Sequence, residues 1–187
     1  ELKRRLEEKE VEPERREEIL ESRAAFDKAG ISCIPFYKAV EFASDMTEED
    51  KANLEAQLQM MGILDAIVIE EKNIRRVQTE FPEWADTVLC AGKKGESTFD
   101  RLVASRELEE SFQEAVANIL SNIEIHDHAE GKIFIGNNGT FRNGILFGRA
   151  NTSREAEYVG VLARKRKREQ VLAEIREQIE TAEQSLA

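Results

Sequence analysis

Apolar residues at Leu172, Ile175, Ile179, Ala182 and Leu186 recur at spacings of 3, 4, 3 and 4, the alternation that forms the seam of a coiled coil. No Gly or Pro follows Gly160. The pattern therefore predicts one uninterrupted helix from an N-cap at Ser153, about 34 residues and about 51 Å long at 1.5 Å per residue, with no capping Gly before Ala187. Leu2 and Leu6 stand four apart in the charged opening decapeptide, as they would on one face of a partner helix. A seam of this kind needs a partner. The expectation is a globular piece from the middle of a longer coiled-coil protein: residues 1–12 one coil end, 13–152 the globular domain, 153–187 the C-terminal coil.

Between these ends the periodicity changes repeatedly. Pro13 suits the first turn of a new helix, which the pattern runs from about Glu14 to Lys28 and ends at Gly30. Ile31 to Phe42 is dense in β-branched and aromatic residues and reads as a strand, with Pro35 at an edge or bulge. Thr47 caps a helix from Glu48 to Met61 that puts Leu54, Leu58 and Met61 on one face. Ile63 to Ile69 is a nearly continuous apolar run, as in a central strand buried on both faces. Weaker signals predict a helix at Asn73–Glu80, a strand at Thr87–Cys90 and a short helix at Phe99–Ala104. An amphipathic helix follows at Glu107–Leu120. Lys132–Gly136, Asn137-Asn138-Gly139 and Thr140–Gly148 then spell a β-hairpin around a type I′ turn. Fold class is mixed α/β (α+β): one globular domain with a mixed sheet, flanked by coiled-coil helices.

Length supports this division, since 187 residues suffice for one domain with a core but not for two plus two coil ends. Lys and Arg total 27 against 38 Asp and Glu, for a net charge of −11. A phosphate-binding surface favours the opposite sign, which argues against a dedicated DNA-binding module while leaving room for a local basic patch. Cys33 and Cys90 lack framework spacing and fit a reducing, cytoplasmic setting. No apolar run reaches the roughly 20 residues of a membrane span and no signal-peptide pattern opens the chain.

Candidate chemistry is sparse. Ala91-Gly-Lys-Lys-Gly-Glu-Ser lacks the Gly-Lys-Ser/Thr of a phosphate loop. His126-Asp-His128 could offer two metal ligands, but no third histidine exists and neither cysteine is close in sequence. No Gly-x-Ser-x-Gly elbow occurs. Catalytic residues, metal and cofactor are therefore all read as none. The run Arg164-Lys165-Arg166-Lys167-Arg168 is the densest in cations. Five consecutive residues wrap a whole helix circumference, and the heptad places Lys165 and Arg168 at seam positions. Structural use comes first for this run; DNA contact there, and at Arg142 and Arg149, is the alternative.

Four segments carry a family resemblance. They are Ile34-Pro-Phe-Tyr-Lys-Ala-Val-Glu-Phe, Leu54-Glu-Ala-Gln-Leu-Gln-Met-Met-Gly-Ile-Leu-Asp-Ala, Gly144-Ile-Leu-Phe-Gly-Arg-Ala, and Glu155-Ala-Glu-Tyr-Val-Gly-Val-Leu-Ala-Arg-Lys-Arg-Lys-Arg. Together they resemble large bacterial coiled-coil ATPases related to the structural-maintenance-of-chromosomes (SMC) proteins and MukB, and among them the ATPase subunits of Wadjet-type anti-plasmid systems. The resemblance implies a non-catalytic hinge at which two ATPase chains form a homodimer. It implies kleisin and accessory subunits as partners, DNA contacted weakly or indirectly, and ATPase motifs on the flanks. The alternatives are an internal DNA- or partner-binding domain of a related repair or partitioning ATPase, and a small metal-dependent hydrolase using His126 and His128.

Overall fold

The computed structural model describes residues 11–90, 93–126, 132–150 and 154–185. Its elements run α1 (Glu17–Lys28), β1 (Cys33–Pro35), α2 (Phe36–Ala39), β2 (Val40–Phe42), α3 (Glu48–Met60), β3 (Ile67–Ile69), α4 (Glu71–Glu80) and β4 (Val88–Leu89). There follow β5 (Leu102–Ala104), α5 (Glu110–Leu120), β6 (Glu124–Ile125), β7 (Ile133–Ile135), β8 (Thr140–Asn143), β9 (Leu146–Arg149) and α6 (Val161–Ser185). The mixed α/β class holds, but the strands form three sheets rather than one: β1-β3-β4, β2-β5 and β6-β7-β8-β9.

The apolar run at 63–69 supplies the central strand β3, antiparallel to β1 and parallel to β4. Successive strand residues face opposite ways, and each side of β3 is covered. Val68 joins a core with Phe36, Leu54, Leu58, Leu102 and Val116. Ile67 and Ile69 join a smaller one with Phe26, Ile31 and Val77.

The expected strand from Ile31 to Phe42 is instead broken by α2. Pro35 caps that turn, and the amides of Phe36 and Tyr37 donate to the carbonyls of Ala66 and Leu64 at 2.9 and 3.0 Å. Phe36, Tyr37 and Ala39 are all buried. A straight strand would send neighbours to opposite faces; one helical turn lets adjacent aromatic rings enter the core. The expected helix at Phe99–Ala104 is also corrected. Leu102–Ala104 is β5, paired antiparallel with β2, so strand pairing overrides a weak helical pattern.

The C-terminal hairpin gains a third strand. Only Gly139 in its first turn has positive φ, 86°, so the turn is not type I′: Asn137 and Asn138 keep negative φ, and Asn138 Oδ1 accepts the Thr140 amide at 3.0 Å. The chain then turns at Gly144 (φ 61°) and Ile145, with Asn143 opposite Leu146, which fits a type II′ turn. Gln57 of α3, almost wholly buried, donates to the carbonyls of Gly136 and Thr140 at 2.9 Å each. That bond docks the meander onto the core.

Both helical ends begin later than expected. Residues 11–16 are not helical, and α1 starts at Glu17 rather than Glu14. The last helix starts at Val161 and has 25 residues, about 37 Å at 1.5 Å per residue. Residues 154–160 are non-helical, and within them the amides of Glu157, Tyr158 and Val159 bond a buried carboxylate. Leu2, Leu6, Ala91, Gly92, His128, Ser153 and Leu186 lie outside the described residues.

Candidate functional site

Where α6 leaves the domain, the chain is held by one side chain of α3. Glu55 is buried, and its carboxylate accepts the amides of Glu157 at 2.6 Å, Tyr158 at 3.0 Å and Val159 at 2.8 Å. Burial pushes the Glu55 carboxyl above its ordinary range, against three hydrogen bonds that favour the charged form. Gly160 then takes φ 84°, where an added Cβ would stand 2.9 Å from Glu41 Oε2. The left-handed conformation turns the chain into α6.

The basic run is largely spent on this root. Arg164 donates to the carbonyls of Tyr158 at 3.0 Å and Tyr37 at 3.3 Å. Arg166 reaches the Ala156 carbonyl at 3.0 Å and pairs with Glu155 at 3.1 Å and Glu48 at 3.3 Å. Lys167 pairs with Glu157 at 2.7 Å. Lys165 is exposed and Arg168 half-buried. Farther along α6, Ile175 is 2% exposed, Leu172 and Ile179 are half-buried and Ala182 is exposed.

The N-terminal segment is tied down by an ion-pair network absent from the sequence reading. Arg15 donates to both carboxylate oxygens of Asp65 at 2.7 Å and to the Tyr37 hydroxyl at 3.2 Å, and it also bonds Glu12. Lys38 reaches Glu12 at 2.7 Å. Arg23 bridges the Asp65 carbonyl at 2.7 Å and Asp86 at 2.6 Å. Burial opposes the charges of Arg15 and Arg23, but their carboxylate partners outweigh it and raise both. For Glu12 burial acts upward, but the bonds from Lys38 and Arg15 hold its carboxyl below its ordinary value.

A third feature is apolar and exposed. The four-stranded sheet ends at β9, which pairs only with β8 among the described strands. Ile145 at its turn is fully exposed, and Leu146 and Phe147 are about half exposed. Arg142 lies over the Phe147 ring at 5.2 Å. Exposed Val161 and Leu162 line a cleft of about 480 Å³ with Phe42 and Val159 at the α6 root.

Other candidates gather no chemistry. His126 bonds Glu124 at 3.1 Å and lies against the Phe134 ring at 4.6 Å. No group of three metal-ligating side chains occurs among the described residues. Cys33 is half-buried and burial raises its thiol; Cys90 is exposed. No helix of the described residues is long and apolar enough to cross a membrane.

Sequence reasoning missed Glu55, Arg15, Asp65, Arg23 and Asp86. Glu55 did leave a signal: it precedes Leu58 by three residues and so falls within the apolar face of its helix. The arginine network left none, because its members are scattered between positions 15 and 86.

No protein-family model and no curated protein matches the sequence. Among solved structures, the chain is similar to an SMC hinge domain of Geobacillus stearothermophilus, solved as an asymmetric dimer: 14% identity, TM-score 0.42, covering 88% of this chain and 74% of that one. It is similar also to the Smc hinge domain of Pyrococcus furiosus with an extended coiled coil, at 16% identity and TM-score 0.41, over 90% and 70%. Likenesses this distant define neither family nor function.

Proposed function

We propose that this chain is a non-catalytic hinge and dimerisation domain of an SMC-like coiled-coil ATPase acting on DNA. The observation that carries the reading is the outer edge of β9. Ile145, Leu146 and Phe147 place three consecutive large apolar side chains in solvent beside backbone groups with no strand partner among the described residues, an arrangement suited to pairing with another strand. A second copy of the chain is its occupant, since a strand edge can pair with its own image across a two-fold axis. The helical arm α6 and the segments Ile34–Phe42, Leu54–Ala66, Gly144–Ala150 and Glu155–Arg168 support the same reading.

The finer reading places the parent protein as the JetC subunit of a Wadjet anti-plasmid system. It is cytoplasmic and plasmid- or nucleoid-associated, with kleisin and accessory subunits as partners and its nucleotide-binding motifs outside this chain. Its C-terminal coil starts with α6 at Val161 rather than at 153, and the expected coil end at 1–12 lies mostly outside the described residues. DNA contact through 164–168 is the second reading and is disfavoured, because Arg164, Arg166 and Lys167 already serve intramolecular partners.

Sedimentation equilibrium of the parent and of the double variant Leu146→Lys/Phe147→Glu tests the proposal. A dimer is expected for the parent at tens of micromolar, a range typical of weak association; the variant should be a folded monomer. A parent that stays monomeric there, or a variant that dimerises equally well, overturns it. Removing residues 169–187 should leave the dimer intact.

A further inference from the structure

Tyr37 lies fully buried between the roots of both chain segments. From residues 11–16, Arg15 donates to its hydroxyl at 3.2 Å. From α6, Arg164 donates to its carbonyl at 3.3 Å, and Arg164 also holds Tyr158, whose ring stands edge-on to that of Tyr37 at 5.9 Å. The Tyr37 amide bonds the Leu64 carbonyl at 3.0 Å, one residue from Asp65, the carboxylate that anchors Arg15. Hydroxyl, ring, amide and carbonyl are thus all engaged.

We propose that Tyr37 is a joint between the two roots, coupling the direction of α6 to the seating of residues 11–16. The physical basis is close packing. A buried ring cannot shift without moving its neighbours, and here the neighbours are the anchoring groups of both segments. Arg15 reaches one end of the residue and Arg164 the other, so displacement at either root is transmitted through α2. The inference does not depend on dimerisation.

Spin labels at exposed Glu110 and Glu177, in a chain carrying Cys33→Ser and Cys90→Ser, report the direction of α6 by electron–electron double resonance. Dilution with unlabelled chain removes intermolecular distances. A narrow distribution is expected for the parent. Arg15→Gln should broaden it, although Arg15 belongs to the opposite root, and Arg164→Gln should broaden it as well. A second label pair at Glu14 and Glu110 should broaden in Arg164→Gln, because coupling between two sites is reciprocal. Tyr37→Phe keeps the ring and removes only the hydroxyl, so it decides the matter should Arg15→Gln fail to fold. A folded Tyr37→Phe or Arg15→Gln chain whose α6 distribution matches the parent overturns the joint.

Discussion

Glu55 and Val159 are joined across 104 residues of sequence by one hydrogen bond, the Val159 amide donating to Glu55 Oε2 at 2.8 Å. With the amides of Glu157 and Tyr158 on the same carboxylate, this bond decides where α6 begins. The amides next to the N-terminus of a helix lack intrahelical partners. Here a buried acid from another helix satisfies those just ahead of α6, instead of a local Ser or Thr cap.

Glu55→Gln retains shape but turns an amide donor toward backbone donors. At least one buried N–H is left without an acceptor, an expected loss of about 1–3 kcal/mol. Chemical denaturation of parent and variant measures it. A variant as stable as the parent would mean that the carboxylate does not hold the α6 root.

Gly160→Ala forces a side chain into the left-handed region at φ 84° and to within 2.9 Å of Glu41 Oε2. A loss of roughly 1–3 kcal/mol is expected from backbone strain. Gly30→Ala, also at positive φ but with open space around it, is the matching control. The thermal midpoints of both variants should fall below that of the parent, since the strain is shared and the Glu41 carboxylate can swing aside.

The Asp86 side chain is almost wholly buried beside Arg23. Asp86→Asn leaves Arg23 with Asp65 alone and should destabilise the domain by about 1–3 kcal/mol, as expected when a buried charge loses a partner. The midpoint of guanidinium denaturation reads this directly. High salt should not abolish the difference, because buried pairs are screened much less than exposed ones.

The pH response divides by sign. Glu12 is held below its ordinary value by Lys38 and Arg15 against burial, and Glu48 is held low by Lys51 and Arg166. Stability from these two is present above the ordinary carboxylate pKa of 4.5 and is lost as pH falls through their lower folded values. Glu55 is shifted upward by burial. Its contribution is present below the ordinary value and declines as pH rises through the folded one. Acidification below about pH 4.5 should therefore loosen residues 11–16, seen as lower amide protection factors there, and Glu12→Gln should flatten that response, whereas at 161–168 the opposite shifts of Glu48 and Glu55 offset each other.

Duplex DNA should bind weakly at most. If the domain is a dimer joint only, titration of a labelled duplex at low salt shows no binding, and charge reversal at Lys165 and Lys167 changes nothing. Binding that appears at low salt, fades as salt rises and vanishes in those variants would restore the DNA-contact reading. Salt-resistant or sequence-selective binding would contradict both.

Local signals read well wherever local chemistry settles the conformation. The Thr47 cap accepts the Asp50 amide at 3.1 Å, Gly62 ends α3's turn with φ 74°, and the apolar run at 63–69 marks the central strand. The heptad spacing placed a helix through Leu172, Ile175 and Ile179. These follow from hydrogen bonds and side-chain periods spanning a few residues. Residues 31–42 and 99–104 read wrongly for the opposite reason. Whether Phe36-Tyr37 turns or extends depends on the Leu64 and Ala66 carbonyls, and Leu102–Ala104 is a strand because β2 lies beside it. The start of α6 belongs with these: periodicity alone extends the helix back toward Ser153, whereas Glu55 removes residues 157–159 from it. The basic run shows the same division. Its charge is plain in the chain, but Tyr37, Glu48, Glu155 and Glu157 surround it only once the chain has folded, and these neighbours direct those cations inward.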